Sequence, residues 1–208
     1  FGQAMPGRLE VMFAGGEANV LASLAQFGAA TRYVTALPKH AIADACLASL
    51  RALGIDCSHV LRRDEGRLGI YFLETGANQR PSNVIYDRAG SAIALAGPDE
   101  YDWQAALDGV RWVHVTGITP SLGEKAYLAT RRLVERAAGR GIGVSCDLNF
   151  RKKLWRWRAG TAPAALAREC MAAILPHVDT VIGNEEDAEQ VLGIAASGTA
   201  VEKGQIDA

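Results

Sequence analysis

Three short β-branched runs, WVHVTGI (112–118), GIGVSCD (141–147) and DTVIG (179–183), are separated by stretches with helical length and spacing, about 123–139 and 162–175. That alternation constrains the fold more than any other feature of the chain. Parallel strands need a crossover of about a dozen residues or more, which a helix supplies. Strands covered by helices on both faces read as continuous apolar runs rather than alternating ones, as these do. The expected fold class is therefore α/β, with three α/β/α layers around a mainly parallel central sheet.

The first half of the chain adds to this pattern. Gly15 and Gly16 stand directly before a short amphipathic run in which Val20, Leu24 and Phe27 share one face, and Gly28 is placed to end the helix. TRYVTAL (31–37) reads as a strand, and Ile42, Cys46, Leu50 and Leu53 keep helical spacing up to Gly54. RLGIYFLE (67–74) and NVIYDRA (83–89) alternate with period two around the turn-rich TGANQRPS, the pattern of a hairpin. This hairpin is an excursion from the sheet, and RLEVMFA (8–14) is expected to join it as a third lid strand. The organisation expected is one partial domain over 1–208, with lid strands around 7–14 and 67–90.

Charge narrows the partners. Lys and Arg number 22 against 23 Asp and Glu, a net charge of −1 with the two signs interspersed, so neither nucleic acid nor an anionic membrane is expected to bind. No apolar stretch approaches the roughly 18 residues of a membrane-spanning helix, and no basic-then-apolar leader opens the chain. Cys46, Cys57, Cys146 and Cys170 are far apart with no C-x-x-C pair, and the four histidines show no metal-ligand spacing. Buried thiols in a reducing cytoplasm are the expectation.

Chemistry is sought where an open α/β sheet binds ligands, at the carboxyl ends of its strands. There the three runs end in Thr116, Gly117, Ile118 and Thr119; in Asp147, Asn149 and Arg151; and in Asn184, Glu185, Glu186 and Asp187. Asp, Asn and Thr after a strand also cap the following helix, but three polar ends on one rim point to a ligand as well. An acidic group beside Asn suits hydrated Mg²⁺, and the planar fork of Arg151 suits an anion. The pair Gly15-Gly16 belongs to neither a dinucleotide fingerprint nor a Walker loop; a tight turn explains it as readily as a ligand does, and Asn19 fits a first-turn cap. On the hairpin, Tyr86 and Arg88 share a face, and Tyr71 alternates with Ile70 and Phe72, consistent with a lid over a ligand.

The ordered set Gly15-Gly16-x-x-Asn19, the hairpin lid, Asp147-x-Asn149-x-Arg151 and the loop beginning at Asn184 resembles the ribokinase-like (PfkB-type) carbohydrate kinases. IYDRAGSA (85–92), VTGIT (115–119) and DLNFRKKLW (147–155) are most similar to the 2-keto-3-deoxygluconate kinases of that family. The resemblance implies ATP-dependent phosphorylation of 2-keto-3-deoxygluconate with Mg²⁺ as cofactor. It implies substrate contacts from Gly15, Gly16, Asn19, Tyr71, Tyr86, Arg88, Ile118 and Arg151, with Asn149 and Asn184 toward the nucleotide. The family's Asn-x-x-Glu stands here as Asn184-x-x-Asp187, so either Glu186 or Asp187 would support the metal. The family's catalytic aspartate is expected beyond Ala208, and its first strand before Phe1. A homodimer or higher homo-oligomer through the lid is implied too. A kinase for fructose or ribose is the alternative within the fold, and an inactive sugar-binding module is the alternative if the protein ends at Ala208.

Overall fold

A computed structural model describes residues 7–195. The chain divides into two compact units, Phe1–Asp108 and Gly109–Ala208.

The first unit runs α1 (Gly16–Gln26), β1 (Thr31–Arg32), β2 (Ala36–Pro38), α2 (Ala41–Ala52), β3 (Ile55–Asp56), β4 (Leu61–Arg63), β5 (Ile70–Glu74), β6 (Asn83–Asp87), α3 (Ala92–Leu95) and α4 (Trp103–Ala106). TRYVTAL is not one strand. Its two ends pair in parallel with different partners, β1 with β3 and β2 with β4. The ladder breaks because the partner chain leaves it between Cys57 and Val60, where the Val60 amide turns back onto the Cys57 carbonyl at 3.2 Å. Arg32 ties this region to the end of α4, donating to the carbonyls of Ala105, Ala106 and Asp108 at 3.2, 2.9 and 3.0 Å.

Both helices end where the glycines require. Gly28 at φ +84° and Gly54 at φ +86° follow the last turns of α1 and α2 in the left-handed conformation that glycine adopts without penalty. Their buried faces match the expected ones only in part: Leu50 is buried and Cys46 packs on the core, but the rest of each stripe is shifted. Ala18, Ala43, Leu47 and Leu50 form the core with Leu37, Ile55, Cys57 and Val60, joined by Leu21 and Ala22, while Phe27 is 84% and Ile42 60% exposed. Small Ala18 and Ala43 let the helices lie close to the strands, so the interior stripe is centred on alanines and not on the bulkiest side chains.

Residues 7–14 form no strand. Leu9, Val11 and Met12 are exposed, and an extended segment without a partner ladder leaves its amides to water, so the expected third lid strand does not form. The expected hairpin forms, with β5 and β6 antiparallel and Tyr71 opposite Tyr86.

The second unit contains β7 (Trp112–Thr116), α5 (Ile118–Ser121), α6 (Glu124–Ala138), β8 (Gly143–Asp147), α7 (Pro163–Ile174), β9 (Thr180–Ile182) and the single turn α8 (Glu185–Asp187). The strands pair in the order β7-β8-β9, all parallel, as the alternation of runs and helices requires. Val113, Val115, Val144 and Cys146 of the sheet are buried, as are Leu166, Cys170, Met171 and Ile174 of α7. Each large apolar side chain so buried contributes on the order of 2 kcal/mol. All four cysteines are free thiols, and burial pushes the Cys170 thiol up to about 11. Among the described residues no helix is long and apolar enough to cross a membrane.

Candidate functional site

The candidate residues fall into three clusters, two in the first unit and one in the second. The first is the turn into α1. Gly15 is the N-cap, with no side-chain cap, and its carbonyl accepts the Asn19 amide at 2.8 Å. Asn19 is exposed and contributes through its backbone, so the first-turn capping role open to it is not the one it takes. Gly15 has an extended backbone, φ 177° and ψ 150°, open to any residue. A Cβ there would lie 3.7 Å from Ala18 Cβ and 3.9 Å from the Tyr33 hydroxyl, ordinary contact distances. The protein's own packing therefore does not demand glycine at 15. Tyr33, which sequence reasoning missed, underlies this turn. Burial first, and then the nearby Glu17 carboxylate, push its phenol well above the usual tyrosine range, while a hydrogen bond with Thr35 pulls the other way.

The second cluster lies on one face of the hairpin. The rings of Tyr71 and Tyr86 face each other across the ladder with centroids 6.4 Å apart. The guanidinium of Arg88 sits over both, 5.6 Å from the Tyr71 centroid and 5.5 Å from that of Tyr86. Strand periodicity brings this about: Tyr86 and Arg88 are two apart, and register sets Tyr71 opposite Tyr86. Neighbouring charges are paired elsewhere, Arg67 with Asp87 at 2.9 Å and Arg80 with Glu74 at 3.0 Å. Among the described residues Arg88 has ring contacts but no hydrogen-bonded or ionic partner for its guanidinium. A guanidinium whose contacts are with aromatic rings alone keeps its N–H donors for a ligand.

The third cluster joins the loops after β7, β8 and β9. The Gly117 amide donates to the Asp147 carbonyl at 2.8 Å, and the Leu148 amide to the Ile182 carbonyl at 2.8 Å. The Asp147 carboxylate accepts the Asn149 amide at 3.1 Å, an Asx turn that carries Asn149 to φ +39°, a conformation asparagine tolerates better than most residues. Arg151 is exposed and donates one N–H to the Phe150 carbonyl at 2.9 Å. Ile118 opens α5, its amide on the Thr116 hydroxyl at 3.3 Å. Asn184 and Asp187 form a reciprocal cap of α8: the Asn184 side chain accepts the Asp187 amide at 2.8 Å and the Asp187 carboxylate accepts the Asn184 amide at 3.1 Å. For this pair the helix-capping role open from the sequence is the observed one. Glu185 and Glu186 are exposed.

These groups do not fit a magnesium cage of direct protein ligands. Among the described residues no three His, Cys, Asp or Glu side chains converge to hold a metal ion, and the Asp187 carboxylate is engaged by backbone amides. Gly117 belongs to the polar end expected after β7, and its amide bond to the Asp147 carbonyl joins that end to the one after β8.

A family model described as pfkB family carbohydrate kinase matches residues 4–206. The 2-dehydro-3-deoxygalactonokinase of Haloferax volcanii is 34% identical over 184 residues, 88% of this chain and 55% of its own length. The 2-dehydro-3-deoxygluconokinase of Thermoproteus tenax is 30% identical over 183 residues, 87% of this chain and 53% of its own. The crystal structure of 2-dehydro-3-deoxygluconokinase from Thermotoga maritima superposes with a TM-score of 0.84 at 44% identity, over 91% of this chain and 56% of that one. The chain thus spans about half the length of these relatives.

Proposed function

The chain belongs to the pfkB family of carbohydrate kinases, and from that premise we propose that the complete protein transfers the γ-phosphoryl group of ATP to a hydroxyl of 2-keto-3-deoxygluconate or its galactonate epimer. The observation that carries this reading is Arg88, a guanidinium lying over two neighbouring tyrosine rings with its donors unclaimed among the described residues. A neutral sugar offers only hydroxyls to such a group, whereas a sugar acid offers a carboxylate that pairs with it through two parallel hydrogen bonds. Arg151 is assigned to the acid as well, and the hydroxyls of Tyr71 and Tyr86 to those of the sugar. The bare backbone at Gly15 and Gly16 supports the same reading, because at Gly15 the fold leaves room for a methyl group that a close ligand would not. Ile118 lends an apolar contact, and Asn149 and Asn184 are assigned to the nucleotide.

Phosphoryl transfer is served by positioning and by neutralising charge. The proton of the attacked hydroxyl passes, in this reading, to an aspartate acting as general base. Magnesium belongs with the nucleotide, where phosphates and water supply most of its ligands; the described residues supply no cage for it. A cytoplasmic location accords with the four free thiols.

A coupled ADP-release assay on the full-length protein tests the substrate. Turnover of the two sugar acids is expected to exceed that of fructose and ribose, and Arg151→Ala is expected to lower kcat/KM for the acids by on the order of a hundredfold, the loss of a charge-assisted pair. Equal turnover of fructose, indifferent to Arg151, would replace the sugar acid with a neutral sugar.

The proposal extends to a homodimer through the hairpin. The face opposite the tyrosines carries Ile70, Phe72 and Ile85, and Ile70 and Ile85 are 42% and 48% exposed. A two-stranded sheet with apolar side chains and open edges is a pairing surface. Sedimentation of the full-length protein is expected to show a dimer that Ile85→Lys dissociates; a monomeric wild type removes the idea.

A further inference from the structure

The loop after β9 carries three carboxylates, and the most buried of them is already occupied. Asp187 is 5% exposed. Its Oδ1 accepts the Phe150 amide at 2.8 Å, across 37 residues of sequence, and its Oδ2 accepts the Asn184 amide at 3.1 Å. Phe150 lies beyond the end of β8, so no sheet ladder claims its N–H. It is flanked by Asn149, held at φ +39°, and by Arg151, whose guanidinium rests on the Phe150 carbonyl. A cation at these oxygens would meet the positive ends of two backbone dipoles already aimed at them, in a pocket closed to the waters magnesium retains.

We infer that Asp187 is a positioning residue: its carboxylate clamps the 147–151 turn to the loop after β9, setting the places of Asn149 and Arg151, and it is not a magnesium ligand. What Asn149 and Arg151 bind rests on the function proposed above; the clamp itself does not. The shorter aspartate at this position in Asn184-x-x-Asp187 then matches a task of reaching two amides, and Glu186 is the exposed carboxylate beside it.

The test is amide-resolved hydrogen exchange on the full-length wild type and three variants, with initial rates against sugar acid and against magnesium. In the wild type the Phe150 amide is expected to exchange as slowly as the strand amides of β8. Asp187→Ala should accelerate exchange at both Phe150 and Asn184 by about tenfold or more, and Asp187→Asn, which keeps one acceptor, at one of the two. Glu186→Gln should alter neither. The KM for the sugar acid is expected to rise about tenfold in Asp187→Ala, while the half-saturating magnesium concentration stays within about twofold.

Unchanged exchange at Phe150 in Asp187→Ala, or a large rise in the magnesium requirement with exchange unaltered, would overturn the clamp. If Asp187→Ala does not fold, the single-amide signature of Asp187→Asn decides. A full-length protein that phosphorylates neither sugar acid sinks the proposed function, yet exchange at Phe150 still decides the clamp.

Discussion

Replacing Gly117 with alanine is expected to destabilise the second unit by about 3–5 kcal/mol, the upper end of what single substitutions do. The reason is a backbone collision. A Cβ at 117 would stand 2.1 Å from the Leu148 carbonyl oxygen and 3.1 Å from its carbon, and neither can move alone. Leu148 is 2% exposed and its amide is bonded to Ile182, while Gly117 is itself bonded to Asp147. Relief would have to part the loops after β7 and β8, undoing the hydrogen bonds that stitch the rim. Gly143→Ala is the control. Its Cβ would lie 2.3 Å from the Trp112 ring, but Trp112 is 54% exposed and can turn aside by giving up the hydrogen bond its indole donates to Ser145 at 2.9 Å, so a loss of about 1–2 kcal/mol is expected. Denaturant unfolding measures both, and equal midpoints for the two variants would show that the loops separate without resistance. Since Ile118 follows directly, a Gly117 variant that folds should also bind substrate more weakly.

Arg88→Ala in the full-length protein is expected to reduce kcat/KM for the sugar acids by about 10²- to 10³-fold, the range for losing one partner of a buried charge-assisted pair. Its effect on stability should stay within about 0.5 kcal/mol, because Arg88 contributes two ring contacts on a half-exposed hairpin and no ion pair. Arg88→Lys should restore only part of the activity: an ammonium keeps the charge but lacks the fork that meets both carboxylate oxygens and the flat face that stacks on tyrosine. Activity toward fructose, measured on the same preparations, is expected to change far less than activity toward the acids. A proportional fall for both substrates would assign Arg88 to the lid's structure and remove the carboxylate from its role.

The sequence by itself determined the parts of this protein that depend on local periodicity and on chemistry within a few residues. The alternation of runs and helical stretches required parallel β7, β8 and β9. Gly28 and Gly54 marked helix ends because only a left-handed residue completes those turns, and a period of two put Tyr86 and Arg88 on one face of a strand. Similarity of ordered motifs gave the family. What only the tertiary structure decided are the contacts between segments distant in sequence, and in each case close packing explains why.

Periodicity read from the largest side chains chose Phe27 and Ile42 as interior, but the core is built around Ala18 and Ala43, whose smallness matters only once a strand lies against them. RLEVMFA (8–14) is expected as a third lid strand, but a strand exists only with a partner, and no partner is encoded locally. The engagement of the Asp187 carboxylate could not be read from Asn184-x-x-Asp187, because one of the two amides it accepts belongs to Phe150, 37 residues away. The need for glycine at 117 is not legible in its own segment because the oxygen that forbids it a side chain belongs to Leu148. A hydrogen bond or a steric limit between remote segments leaves no period in either one, so it becomes visible only when the fold sets the two side by side.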